Sequence, residues 1–194
     1  MEHHKYLTDD DQPFILDEIF YKDIMTKISP SWLPHRDYSH LIPFVKYVGT
    51  KGNVVKFFVP NKYNGWNTYI QFPDWMEQLS DESLSAPEVA RLLLWAGHIR
   101  VHCPCPAFKF WGMQYIMTTK DAAIVPEVRY PHIRNPHLKG VVCKHLNRTL
   151  KVLPFHLGSI ASAIKNQRDM RARKGNMMVK ECCEPTTGYR CEIL

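Results

Sequence analysis

Apolar and polar positions repeat along this chain in two rhythms, and each change of rhythm marks an element. Phe14, Ile15, Ile19, Phe20 and Ile24 recur at helical spacing, which predicts an amphipathic helix over residues 13–28, ended by Ser29-Pro30. The connector from Ser31 to Pro43, rich in Trp, Pro and His, has no clear period. The rhythm then shortens. Phe44 to Val48 and Val54 to Val59 read as strands around the turn Gly49 to Asn53. A second turn at Asn64-Gly65 leads into a third strand, where Trp66, Thr68, Ile70 and Phe72 fall on one face. The three strands form an antiparallel meander.

Helical spacing returns afterwards. A short helix is expected within Trp75 to Leu84. Ser85-Ala86-Pro87-Glu88 is a helix start, with a capping Ser, Pro in the first turn and Glu three residues after the cap. Leu92, Leu93 and Trp95 supply its apolar face and Gly97 ends it. From His98 to Cys103 the pattern alternates, so Ile99, Val101 and Cys103 face the core while His98, Arg100 and His102 face away. Phe108, Trp111, Tyr115 and Ile116 fit one further helix. Residues 120–140 are loop-like, broken by Pro126, Pro131 and Pro136. Val142, Leu146, Leu150 and Leu153 fit a helix that Pro154 breaks or kinks. Leu157, Ile160 and Ile164 fit another, and Gly175 to Leu194 reads as a tail.

Composition supports a folded chain. Hydrophobic residues are 45% of 194 and aromatics 12%, enough for a core and too many for general disorder. No apolar run is long enough to span a membrane, and the first residues lack a signal-peptide pattern. A cytosol-like, reducing compartment is therefore expected. Charge is polarised: Met1 to Pro30 holds seven acids and three Lys, whereas Lys165 to Lys180 holds six Lys or Arg and one acid, Asp169. Such an imbalance suits an acidic protein surface or nucleic acid equally well.

Compartment changes how the six cysteines are read. In a reducing environment, paired cysteines with a histidine suggest a metal before a disulfide. Cys103 and Cys105 form one tight pair, and Cys143 with His145 forms a second at the start of a predicted helix. Helix-start N–H groups favour the thiolate, which is the metal-binding form. Four such ligands make a closed tetrahedral zinc site, structural in type because no position is left for water. The plainer reading makes the cysteines small buried hydrophobes and the histidine a surface residue. Both pairs together, in this order, favour the metal. His102, His132 and His137 are rival ligands nearby. Cys182, Cys183 and Cys191 lack a histidine and read as free thiols.

The order Cys-x-Cys then Cys-x-His, with an aromatic after the first pair and a helix after the second, resembles the SWIM zinc finger. That resemblance implies a short β-β-α unit and assigns zinc to Cys103, Cys105, Cys143 and His145. It covers about 50 residues, and the 37 between the pairs, 106–142, exceed the usual finger. The wider run Cys103-Pro-Cys-Pro-Ala-Phe-Lys-Phe-Trp-Gly112, with Arg134-Asn135-Pro136 and Gly140-Val-Val-Cys-Lys-His-Leu146, is similar to a group of zinc-finger proteins of tailed bacteriophages. It implies a virion component of the neck, tail or baseplate.

The expected fold is α+β: a small antiparallel sheet, flanking helices, a zinc-stapled β-β-α unit and extended terminal arms. Its expected parts are an acidic arm and helix (1–30), the meander with a helix (31–97), the zinc unit (98–153) and a basic helix with tail (154–194). No HExxH, Walker loop, GxGxxG or GxSxG is present, so an enzyme is not expected. The expected role is a non-enzymatic particle protein, assembled in the host cytoplasm, with other virion proteins as partners and no membrane. Nucleic-acid binding is the alternative, through aromatics such as Trp32, Trp66 or Trp111 and cations Arg168, Arg171, Arg173 and Lys174.

Overall fold

The computed structural model describes residues 19–27, 38–62 and 64–182; the side chains of 26, 27 and those beyond Lys174 fall outside that description. The expected arm before Ile19, Trp32 of the connector, and Cys183 and Cys191 all lie outside the described residues, as does the side chain of Cys182.

The meander forms in the expected order, but its first strand runs through Lys51 rather than ending at Val48, so the expected turn Gly49 to Asn53 shrinks to Gly52 and Asn53. Strands β1 (Lys46–Lys51), β2 (Val54–Val59) and β3 (Trp66–Gln71) pair antiparallel in sequence order. Strand β4 (Arg100–His102) adds to β3, setting Tyr69 opposite His102 and Ile70 opposite Val101. This short strand comes from the alternating stretch before the cysteine pair. Ile99, Val101 and Cys103 are buried, and His98, Arg100 and His102 are half-buried on the other side. The inner face of the sheet carries Val55, Phe57, Thr68 and Ile70, all fully buried.

Helices cover that face. Helix α1 (Tyr21–Lys27) begins later than the helical spacing implied: Ile19 and Phe20 are not helical, and Phe20 instead bridges His98. Helix α2 (Trp75–Ser80) is short, and α3 (Ala86–Trp95) begins where the capping signature sits. The Glu88 carboxylate accepts hydrogen bonds from the Ser85 N–H and hydroxyl. Helices α4 (Pro106–Phe110), α5 (Met113–Thr119) and α6 (Lys144–Val152) follow; a 3-10 turn at Leu153–His156 holds Pro154 and passes into α7 (Leu157–Cys182). One continuous core runs from Ile19 to Ile164, with Trp75, Phe57, Phe72 and Phe108 among its largest buried side chains. Burying each such ring contributes about 1.5–3 kcal/mol.

Three further expectations change. The single helix expected from Phe108 to Ile116 is split, because Gly112 takes a left-handed φ of 73°. A Cβ there would also lie 2.4 Å from the Pro131 ring, so glycine is required twice over. The expected tail after Gly175 continues instead as helix to Cys182: Met177, Met178, Lys180 and Glu181 are good helix formers, and one Gly does not stop it. Arg168, a candidate phosphate contact, turns onto its own chain, donating to the carbonyls of Gln78, Leu79, Asp81 and Leu84. It ties α7 to the turn between α2 and α3. Among the described residues no helix is long and apolar enough to cross a membrane.

Candidate metal centre

Each of the four candidate ligands is set by an element end. Cys103 is the first residue past β4 and continues its inward alternation. Cys105 caps α4: Pro106 supplies the fixed φ of a first helical residue, and the Phe108 N–H donates to Cys105 Sγ at 3.4 Å. Cys143 caps α6 in extended geometry, φ −74° and ψ 165°, and its carbonyl receives the Asn147 N–H. His145 is then in the first turn of α6, with its Nδ1 4.0 Å from Cys143 Sγ.

Together the ligand atoms of Cys103, Cys105, Cys143 and His145 all lie within 4.8 Å of one another, and all four residues are buried. Zinc–sulfur bonds of about 2.3 Å place tetrahedral sulfurs roughly 3.8 Å apart, so the cluster is close to the size of such a site. No disulfide joins the three cysteines. Their protonation points the same way. Cys105 is held far below the ordinary thiol range, first by a hydrogen bond from Cys103, then by Cys143, His145 and the Phe108 N–H. Cys103 is pushed up chiefly by that same hydrogen bond, and Cys143 by burial and then by its sulfur neighbours. A bound dication would let all three ionise, because it supplies the charge that burial denies them. The donor set, three soft sulfurs and one imidazole, fits zinc chemistry.

Around the ligands, α6 is tied to three separate parts of the fold. Thr149 and Thr68 share a buried hydroxyl hydrogen bond of 2.9 Å, linking α6 to β3. The Tyr21 hydroxyl donates to the Leu150 carbonyl, and Asn147 donates to the Ser39 hydroxyl. Trp66 lies against His145, ring centroids 6.4 Å apart. The excursion between the ligand pairs turns on Asn135, 1% exposed. Its amide donates to the carbonyls of Trp111 and Lys139 and accepts the Lys139 N–H. Between β4 and α6 the chain carries α4, α5 and one parallel bridge from Val101 to Ala123.

All four expected ligands thus come together, and the rivals do not. His102 points outward between Tyr69 and Phe108, and burial holds its imidazole below the usual range. His132 and His137 are exposed. Asn135, Thr68 and Thr149 escaped the sequence reading. One signal was present for the pair: Thr68 sits between Trp66 and Ile70 on an apolar face, where a hydroxyl needs a partner.

Fold and site together define an α+β protein with a buried cluster of three cysteines and one histidine that is compatible with a metal ion. Against known proteins the chain matches no family model, no curated protein and no solved structure.

Proposed function

We propose that the chain is a non-enzymatic structural protein in which zinc, held by Cys103, Cys105, Cys143 and His145, rigidifies a module for protein–protein interaction. One observation carries the reading: four soft or borderline donors converge within 4.8 Å, all buried. Four protein ligands fill a tetrahedron and leave no position for an activated water. What zinc supplies there is a fixed junction between the end of β4 and the start of α6, with folding energy linked to its binding. The likeness of the runs around both ligand pairs to tailed-phage proteins supports placing the module in a virion, at the neck, tail or baseplate, among other particle proteins.

Metal analysis of protein purified without chelator is expected to find one zinc per chain. Protein that is folded and metal-free would overturn the zinc assignment. The particle assignment is tested by imaging labelled chains in purified virions, where a fixed position at neck, tail or baseplate is expected. Absence of the chain from intact particles would overturn it and leave the zinc assignment standing.

A further inference from the structure

The inner face of the sheet is filled by the core and α6. The outer face carries a different chemistry, and strand register defines its rows. Paired residues share a face. One row reads Gly49, Lys56, Tyr69, His102 across all four strands, and the next reads Lys51, Val54, Gln71, Arg100. Neither row contains an acid. Arg100 is neutralised by Asp121, but Lys46, Lys51 and Lys56 have no ion-pair partner among the described residues.

Between these rows lies a hollow of about 390 Å³ with an apolar floor, Val48 and Val54, and one aromatic wall, Tyr69. Lys51 and Lys56 stand at its rim; the Lys56 ammonium is 5.9 Å from the Tyr69 ring centroid. Gly49 keeps one side open, since nothing lies within 4 Å of where its Cβ would be. No acid lines the hollow.

We propose that this outer face, centred on Tyr69 with Lys51 and Lys56 at its rim, binds single-stranded nucleic acid. A flat ring beside an apolar floor takes a planar base, and lysines at the rim take the phosphates on either side. A duplex keeps its base faces stacked and cannot offer one to Tyr69. An acidic polypeptide would meet the lysines but leave the apolar floor unfilled. The assignment is separate from the zinc cluster, which lies on the other side of β4.

Fluorescence anisotropy of zinc-loaded protein with labelled oligothymidylate tests this. Binding is expected, weakening steeply as salt rises from about 50 to 200 mM. Tyr69→Leu is expected to weaken it about tenfold with the salt dependence unchanged. Lys51→Glu with Lys56→Glu is expected to weaken it further and flatten that dependence. Lys174→Glu, an equal charge change for one site but off this face, is expected to leave affinity unchanged. Zinc content and melting of each variant report its folding; Lys51→Glu alone, on an exposed hairpin, probes the same surface should Tyr69→Leu unfold. No binding by the unaltered protein at low salt overturns the proposal. So does equal affinity for duplex DNA, equally strong competition by polyglutamate, or loss on Lys174→Glu matching that on the face.

Discussion

From Val54 to Leu94 the buried side chains are apolar but for Thr68, whereas from Cys103 to Val152 the apolar filling is interrupted by buried polar residues and by the cysteine cluster. The first region is strands β2 and β3 with α2 and α3, and its buried set is Val55, Phe57, Ile70, Phe72, Trp75 and Leu93. The second has three short helices and an irregular stretch between Lys120 and Cys143. Five of the seven buried polar residues described, Gln114, Asn135, His145, Asn147 and Thr149, lie in it. Three of its buried apolar positions are the clustered cysteines. Regular elements satisfy their own backbone hydrogen bonds, so the first region needs little besides apolar filling. Irregular backbone must find partners one by one. The second region therefore depends on specific ties: the cluster of three cysteines and one histidine at one end and Asn135 at the other.

The largest expected effect comes from cutting the first tie. Cys143→Ser removes one ligand from a cluster whose metal binding is linked to folding, so zinc should be lost and stability should fall by several kcal/mol, on the order of a third of the roughly 10–16 kcal/mol that structural zinc supplies in isolated fingers. Hydrogen exchange followed by mass spectrometry should show protection lost first between residues 103 and 152, with β2 and β3 opening later. Uniform loss across the chain would erase the contrast between the regions, and an unchanged melting temperature would show the cluster contributes nothing.

Phe57→Ala tests the other side. The ring is fully buried between Tyr47 and His156, and its removal should cost about 3–5 kcal/mol in a chemical denaturation measurement. The protein that remains folded should still carry one zinc per chain. Zinc release at denaturant concentrations well below the unfolding midpoint would mean that the cluster depends on the sheet core more than its own ligands do.

The same contrast explains what was legible in the sequence. Alternation placed β1 to β3 and β4, and the capping box placed the start of α3, because period and caps are local signals. That Cys103, Cys105, Cys143 and His145 would come together was legible from spacing alone, since paired residues at such intervals can converge on one point. The split between α4 and α5 was not, because it depends on the approach of Pro131 to Gly112, contacts distant in sequence. Arg168 looked like a surface cation until the fold brought four carbonyls to its guanidinium. Asn135 looked like a loop residue beside a proline. Nothing local distinguishes an Asn that caps its own turn from one that organises a 37-residue excursion.

Asn135→Ala is the smallest of these tests and the sharpest for the irregular region. It leaves the Trp111 and Lys139 carbonyls and the Lys139 N–H without their side-chain partner in a site that is 1% exposed. Each buried group so orphaned costs about 1–3 kcal/mol at most, and water entering the vacated space offsets part of that, so a net loss of about 2 kcal/mol is expected. Exchange should quicken between Trp111 and Gly140 while zinc stoichiometry holds, because the ligands stand on β4 and the ends of α4 and α6 rather than on the excursion. If zinc were lost along with that protection, the excursion and the cluster would be one cooperative unit, and the two ties of this region would reduce to one.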